Sequence, residues 1–179
     1  MSAKTRLMTV NSSPRLLSVQ KIGAEHDVES FACGRPELDR FLKRYALISQ
    51  KANTAQTYVV CRGKRVVGYY SLTVGSVMYR DAPERIVKGV ARHPVPLMIL
   101  ARLAVNSGEQ GKGLGAALLK DAMLRTLNAA GIAGIRALFV HAKDEEAKRF
   151  YEHFDFRPSP TDPHHLYCLI KDIRRFIRA

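Results

Sequence analysis

The chain is expected to fold as an α/β protein built on a central mixed β-sheet flanked by helices, and three features of the sequence carry that expectation. The nearly continuous apolar run from Val95 to Val105 reads as a strand buried on both faces. After it come a glycine loop, Gln110-Gly111-Lys112-Gly113-Leu114-Gly115, and a helical apolar stripe through Leu114, Leu118, Ala122 and Leu127 that ends at Ala130-Gly131. The next strand-like run, Ile135 to Val140, is separated from the first by that helix, so the two are expected to lie parallel.

The remaining elements fall around this unit. Residues 1–15 lack the apolar segment of a secretory signal and read as a short flexible arm, leaving 16–179 as a single domain. Leu16 to Ile22 alternates weakly, as an edge strand would. Pro36 suits the first turn of a helix whose apolar residues Leu38, Phe41, Leu42, Tyr45 and Leu47-Ile48 carry it to about Ala52. Thr57 to Cys61 and Val66 to Leu72 are β-branched and aromatic runs joined by Arg62-Gly63-Lys64-Arg65, an antiparallel hairpin whose second arm extends towards Val77. Tyr79 to Pro94 reads as an irregular or briefly helical connection. Asp144 to Phe154 is a helix with Ala147, Phe150, Tyr151 and Phe154 on one face, His165 to Ile170 a last strand, and the tail from Asp172 a short helix.

Composition narrows the functional classes. With 46% apolar and 25% charged residues and no run of the roughly 18 apolar residues a membrane span needs, the chain reads as a globular cytoplasmic protein with no membrane partner. Cys33, Cys61 and Cys168 are odd in number and lack C-x-x-C spacing, so they read as reduced thiols rather than disulfides or metal ligands. The six histidines form no H-E-x-x-H or i,i+4 pair, and no metal site is expected. A net charge of +13 points to a polyanionic partner, nucleic acid or an acidic protein.

Three glycines in five residues let the loop turn consecutive N–H groups inward, and the following helix adds the positive end of its dipole; this combination binds phosphate or pyrophosphate. Gly111, Gly113 and Ala116 satisfy the dinucleotide pattern G-x-G-x-x-G/A, but Asn106 to Glu109 intervene after the strand, and the first acid beyond the next strand is Asp144. A Walker loop fails because Ala116-Ala117 stand where Lys-Ser/Thr is required.

The strand Leu100 to Val105, followed by Gln110-x-x-Gly113-x-Gly115 opening a helix, resembles the acetyl-CoA site of GNAT-type N-acetyltransferases, and the order of elements resembles the GNAT fold. Phe31-x-Cys33-Gly34-x-x-x-Leu38-Asp39-x-Phe41-Leu42, Val67 to Leu72, and Ala142-Lys143-Asp144-Glu145-Glu146-Ala147-x-x-Phe150-Tyr151-Glu152 are similar to the acetyltransferase toxins of bacterial toxin-antitoxin modules. The resemblance implies that Leu103, Ala104 and Val105 lie along the pantetheine arm of acetyl-CoA and that Gln110, Gly111, Lys112, Gly113, Leu114 and Gly115 hold its pyrophosphate. It further implies that Tyr151 protonates the departing sulfur, although periodicity alone reads Tyr151 equally well as core. In partners it implies aminoacyl-tRNA, a ribbon-helix-helix antitoxin through which operator DNA is reached, and a homodimer. The chain has Phe154-Asp155-Phe156 where that family has F-G-F, which puts the helix cap in question.

No motif position offers a general base. A lysine amine, with reference pKa near 10.4, is only ~1 part in 2,500 neutral at pH 7, whereas an α-amine near 7.8 is more than about a tenth neutral. Weak base equipment therefore fits the α-amine of a charged tRNA. Arg35, Lys43, Lys88 and Arg92 are candidate phosphate contacts and equally candidate solubilising charges. Two rival functions stand beside this one: a GNAT enzyme acting on a small amine or a protein N-terminus, and a basic binding module that uses the glycine loop structurally.

Overall fold

The computed structural model describes residues 14–179, so most of the expected N-terminal arm, residues 1–13, lies outside the described residues. The part that is described is docked: the Pro14 carbonyl accepts a hydrogen bond from Arg62 at 3.0 Å. Seven strands form one mixed sheet in the order β1-β2-β3-β4-β5-β7-β6. They are β1 (Gln20–Lys21), β2 (Gln56–Arg62), β3 (Arg65–Val77), β4 (Val95–Val105), β5 (Ala137–His141), β6 (Arg157–Pro158) and β7 (His165–Leu169). The helices are α1 (Pro36–Arg44), α2 (Ala46–Lys51), α3 (Glu84–Val87), α4 (Leu114–Ala130), α5 (Glu145–His153) and α6 (Ile170–Arg178).

The β4–α4–β5 unit is as expected, and β4 and β5 are parallel. The other strand pairs, including the β2–β3 hairpin, are antiparallel. One face of the sheet carries α4, α5 and α6, packed through Leu118, Leu119, Met123, Tyr151 and Ile173 against Leu100, Val105, Leu138 and Val140. The other face carries α1 and α2 over Val59, Tyr69 and Ala104, and α3 over Val95, Leu97 and Ala137. Each buried large aliphatic side chain contributes ~1.5–3 kcal/mol. The close approach of α4 to β3 is set by Gly68, where a Cβ would stand 2.9 Å from Leu118 Cδ1.

The expected helix to Ala52 breaks at Tyr45, whose φ of −118° rotates the next turn. Ala46 is thereby turned into the core while Tyr45 and Ile48, read as part of the apolar stripe, are exposed. The expected strand Leu16–Ile22 is reduced to Gln20–Lys21 and a single bridge from Leu16 to Arg62. β6 was hidden by its proline: a two-residue strand at the sheet edge tolerates a residue without an N–H.

Asp155 resolves the question of the cap. Its φ is +65°, the left-handed conformation that glycine would take at this position. The Phe156 N–H bonds the Tyr151 carbonyl at 3.2 Å and the Asp155 N–H bonds the Glu152 carbonyl at 3.1 Å, the two bonds of a Schellman cap. The accompanying apolar contact is Phe156 against Tyr151, with ring centroids 5.4 Å apart. Aspartate is among the residues that tolerate this conformation, at some cost relative to glycine. Asp155→Gly is expected to raise stability by about 0.5 kcal/mol after allowance for the greater unfolded-state freedom of glycine, and Asp155→Val to lower it by ~1–2 kcal/mol. Thermal denaturation of both variants beside the parent checks the sign of each.

Candidate active site

The site begins where β4 and β5 part. Their ladder covers only Leu97 to Ile99 against Ala137 to Phe139. On its other side β4 stays paired with β3 as far as Val105, and the register shift between Ser71 and Leu72 leaves Ala101 as an extra residue, a β-bulge. The Asn106 N–H donates to the Val67 carbonyl at 2.9 Å. Antiparallel pairs alternate, so the backbones of Ala104 and Arg102 also face β3, whereas those of Leu103 and Val105 face the gap. A cavity of about 410 Å³ fills this gap, walled by Leu100 to Leu103 on β4, Val140 and His141 on β5, Ala142 just beyond it, and Phe150 and Tyr151 on α5. Of the three β4 residues expected along the coenzyme, Leu103 and Val105 present their backbone to the opening. Ala104 does not: its backbone is bonded to β3, and its methyl packs with the α1 face.

The glycine loop lies at one end of the cavity. Gly111 and Gly113 have φ of 75° and 82°, and a Cβ on either would meet nothing within 4 Å. Gly113 caps α4 with no side-chain hydrogen bond, so the first amides of a 17-residue helix are left open to a ligand. The side chains hold the loop rather than line it. Gln110 Nε2 donates to the carbonyls of Val105 (2.9 Å) and Cys33 (3.0 Å), tying the loop to β4 and to the segment before α1. Lys112 turns back to the Gly108 carbonyl at 2.9 Å. Arg62 clasps Glu109 through Nε at 2.7 Å and through its second terminal nitrogen at 3.1 Å, which holds that carboxyl down at about 2. With its carboxylate so neutralised, the loop presents N–H groups to a ligand, a donor set that suits a pyrophosphate.

Tyr151 is placed by the Asp144 N-cap of α5, whose carboxylate accepts the Ala147 N–H at 2.8 Å, and by the Schellman cap at the other end. Its ring is buried, and among the described residues its hydroxyl has no hydrogen-bond partner. Burial pushes its pKa above the ordinary tyrosine value, so the phenol keeps its proton at every physiological pH. Cys33, also on the cavity wall, is held up at about 11 by burial and by Asp39, so it is a thiol and not an acyl-accepting thiolate.

The four basic candidates are not brought together. Arg35 lines the cavity but is ion-paired with Asp144, and beside it Lys143 pairs with Glu37 at 2.6 Å; the two bridges join α1 to α5 across the opening. Lys43 borders a separate hollow near His26, while Lys88 lies beside α3 with Arg92 further along the exposed connection. Sequence reasoning missed Arg102, whose guanidinium lies 3.7 Å over the Phe41 ring, and His141, both on the cavity wall. A charge inside the apolar run of β4 was the available signal for Arg102; His141 ends β5 with no signal at all.

A split mixed sheet with a phosphate-ready helix terminus on one wall and a protonated phenol on another defines an acyl-coenzyme A transferase. The family described as Acetyltransferase (GNAT) domain matches residues 53–158, and the chain belongs to it. It is 46% identical over 170 residues to a tRNA-acetylating toxin of Mycobacterium tuberculosis, covering 95% of this chain and 99% of that protein. It is similar to AtaT in complex with acetyl-methionyl-tRNAfMet (TM-score 0.84, 28% identity, 91% of this chain and 99% of that one). A Tyr-to-Phe mutant of AtaT bound to the C-terminus of the antitoxin AtaR and acetyl-CoA aligns with a TM-score of 0.78 at 27% identity, over 92% of this chain and 99% of that one.

Because no atom would obstruct a Cβ at Gly113, a substitution there acts through φ alone. Gly113→Val is expected to cost ~1–2 kcal/mol of stability and, by turning the loop amides away, to weaken coenzyme A binding by roughly tenfold or more. Calorimetric titration with coenzyme A, paired with thermal denaturation, measures both effects.

Proposed function

We propose that the protein is the toxin of a toxin-antitoxin module and transfers the acetyl group of acetyl-CoA to the α-amine of an aminoacyl-tRNA, which blocks translation. The observation that carries the reading is the cleft, in which the free N–H groups of β4, the open terminus of α4 and the Tyr151 side chain converge. The 46% identity to a tRNA-acetylating toxin over nearly the whole chain supports the acceptor, and the net charge of +13 suits a polyanion.

In this reading the amides of Gly111, Gly113 and the first turn of α4 bind the pyrophosphate, and Gln110 and the Arg62–Glu109 pair fix the loop that carries them. Leu103 and Val105 hold the pantetheine arm through their backbone and polarise the thioester oxygen. Tyr151 gives its proton to the sulfur as the carbon–sulfur bond breaks. In this reading the amine attacks the thioester directly, and burial, which raises the Cys33 thiol, disfavours that residue as an acyl carrier. The module is completed by an antitoxin, read from the resemblance as a ribbon-helix-helix protein; the AtaT structure bound to the C-terminus of the antitoxin AtaR supports an antitoxin partner. The chain folds as one domain from residue 16 and acts in the cytoplasm.

Labelled acetyl-CoA incubated with a mixture of charged and uncharged tRNAs tests the reaction and the acceptor together. Label on the amino acid of charged tRNA alone is expected; label on free amines or protein N-termini instead would replace the acceptor. Tyr151→Phe is expected to bind acetyl-CoA normally and to lose ~10²–10⁴ in kcat. Since burial raises the Tyr151 pKa above an ordinary value near 10, its proton is retained as pH rises, and the wild-type rate should show no alkaline fall below about pH 10. A rate profile at saturating substrate reads this directly.

A further inference from the structure

We propose that His141 takes the proton released by the attacking amine, so that acid and base stand on opposite faces of the split sheet; this rests on the acetyl-transfer reading of the cleft. Side chains alternate along β5: Leu138 and Val140 belong to the core under α4, α5 and α6, whereas Phe139 packs on the α3 side. His141 shares the face of Phe139, at the exposed end of the strand, and lines the cleft. Tyr151 and the open terminus of α4 belong to the first face. A donor anchored by its phosphates at α4 therefore enters the gap from the Tyr151 side, and the reacting carbonyl is left open towards the side of α1, Arg102 and His141.

The imidazole is backed by an anion. Its ring meets the edge of His165, centroids 4.8 Å apart, and His165 Nε2 lies 3.5 Å from Asp162 Oδ2. The His164 N–H, followed by the His165 and His141 imidazoles, holds the Asp162 carboxyl below the usual carboxylate range, so a negative charge is present beside the pair. That carboxylate lies behind His165, the ring against which His141 is packed. The cations facing it from the other walls are Arg102, stacked on Phe41, and Arg35 and Lys143, which are paired with Asp144 and Glu37. Glu146 of α5 is the remaining acidic residue on the cavity wall.

The step balances. The amine lone pair forms the nitrogen–carbon bond, the carbon–sulfur bond breaks, and the sulfur takes the Tyr151 proton. The proton shed by nitrogen passes to His141; solvent then reprotonates Tyr151 and deprotonates His141, leaving an amide and a free thiol.

The test is steady-state transfer to charged tRNA between pH 6 and 9 by wild type, His141→Gln and Glu146→Gln, with acetyl-CoA binding measured by calorimetry. His141→Gln keeps a hydrogen-bonding group but accepts no proton. Its kcat should fall ~10²-fold or more, with KM for charged tRNA and acetyl-CoA affinity within about threefold of wild type. The acidic limb of the kcat profile should flatten in this variant alone. An unchanged kcat, a reduced kcat with the wild-type pH dependence, or flattening in Glu146→Gln instead would overturn the assignment. Wild-type protein that leaves charged tRNA unmodified defeats the proposed acceptor, and the same variants compared on an amino acid methyl ester then judge His141 by the same outcomes.

Discussion

The parting of β4 from β5 after Ile99 is the constraint on which the site depends. A buried strand ordinarily pairs both edges, because an unsatisfied backbone group in the interior costs ~1–3 kcal/mol. Here one edge of β4 is held to β3 along its whole length, and the bulge at Ala101 shifts its direction while β5 stops short at His141. The resulting gap leaves N–H groups of β4 unpaired within the sheet, where a bound carbonyl or amide can satisfy them. Two half-exposed ion pairs, Arg35–Asp144 and Lys143–Glu37, then reach across the opening between the starts of α1 and α5.

Around the gap the division of labour is between backbone and side chain. The ligand-facing groups are main-chain amides of β4, the glycine loop and α4. The polar side chains nearby are engaged in holding that main chain: Gln110 on Val105 and Cys33, Arg62 on Glu109, Asp39 on the Cys33 N–H at 2.9 Å and Asp144 on α5. Tyr151, Arg102 and His141 are the exceptions, side chains on the cavity wall, and Tyr151 has its own carbonyl locked in the Schellman cap. Asp155 keeps that cap closed despite lacking the freedom of glycine, so the departure from the usual motif changes the energy of the turn and leaves the geometry of α5 intact.

Legibility in the sequence followed the strength of local signals. The β4–loop–α4–β5 unit could be read because an apolar run, three glycines and a helical stripe occur in order, each with a separate physical cause. The Tyr45 break and β6 could not, since both are decided by packing against elements distant in sequence. The same holds inside the site. Gln110 and Gly113 were legible as a motif, but the use of Gln110 as a fastener depends on Cys33, which precedes it by 77 residues. His141 was invisible because only the alternation of β5 against two different cores gives it a direction.

Charge distribution carries the last step. The chain has an excess of 13 positive charges, yet the cations nearest the cleft mouth, Arg35 and Lys143, are matched by carboxylates. Half-exposed pairs of this kind are worth only ~0.2–1 kcal/mol. An incoming phosphate can therefore take Arg35 from Asp144 at little cost, but the exchange also loosens the tie between α1 and α5. A polyanion held by the unmatched cations of α6 and the α3 connection has no such effect. Binding energy for a large acidic substrate is thus best drawn from the periphery, leaving the mouth rigid while a single amine is presented to it.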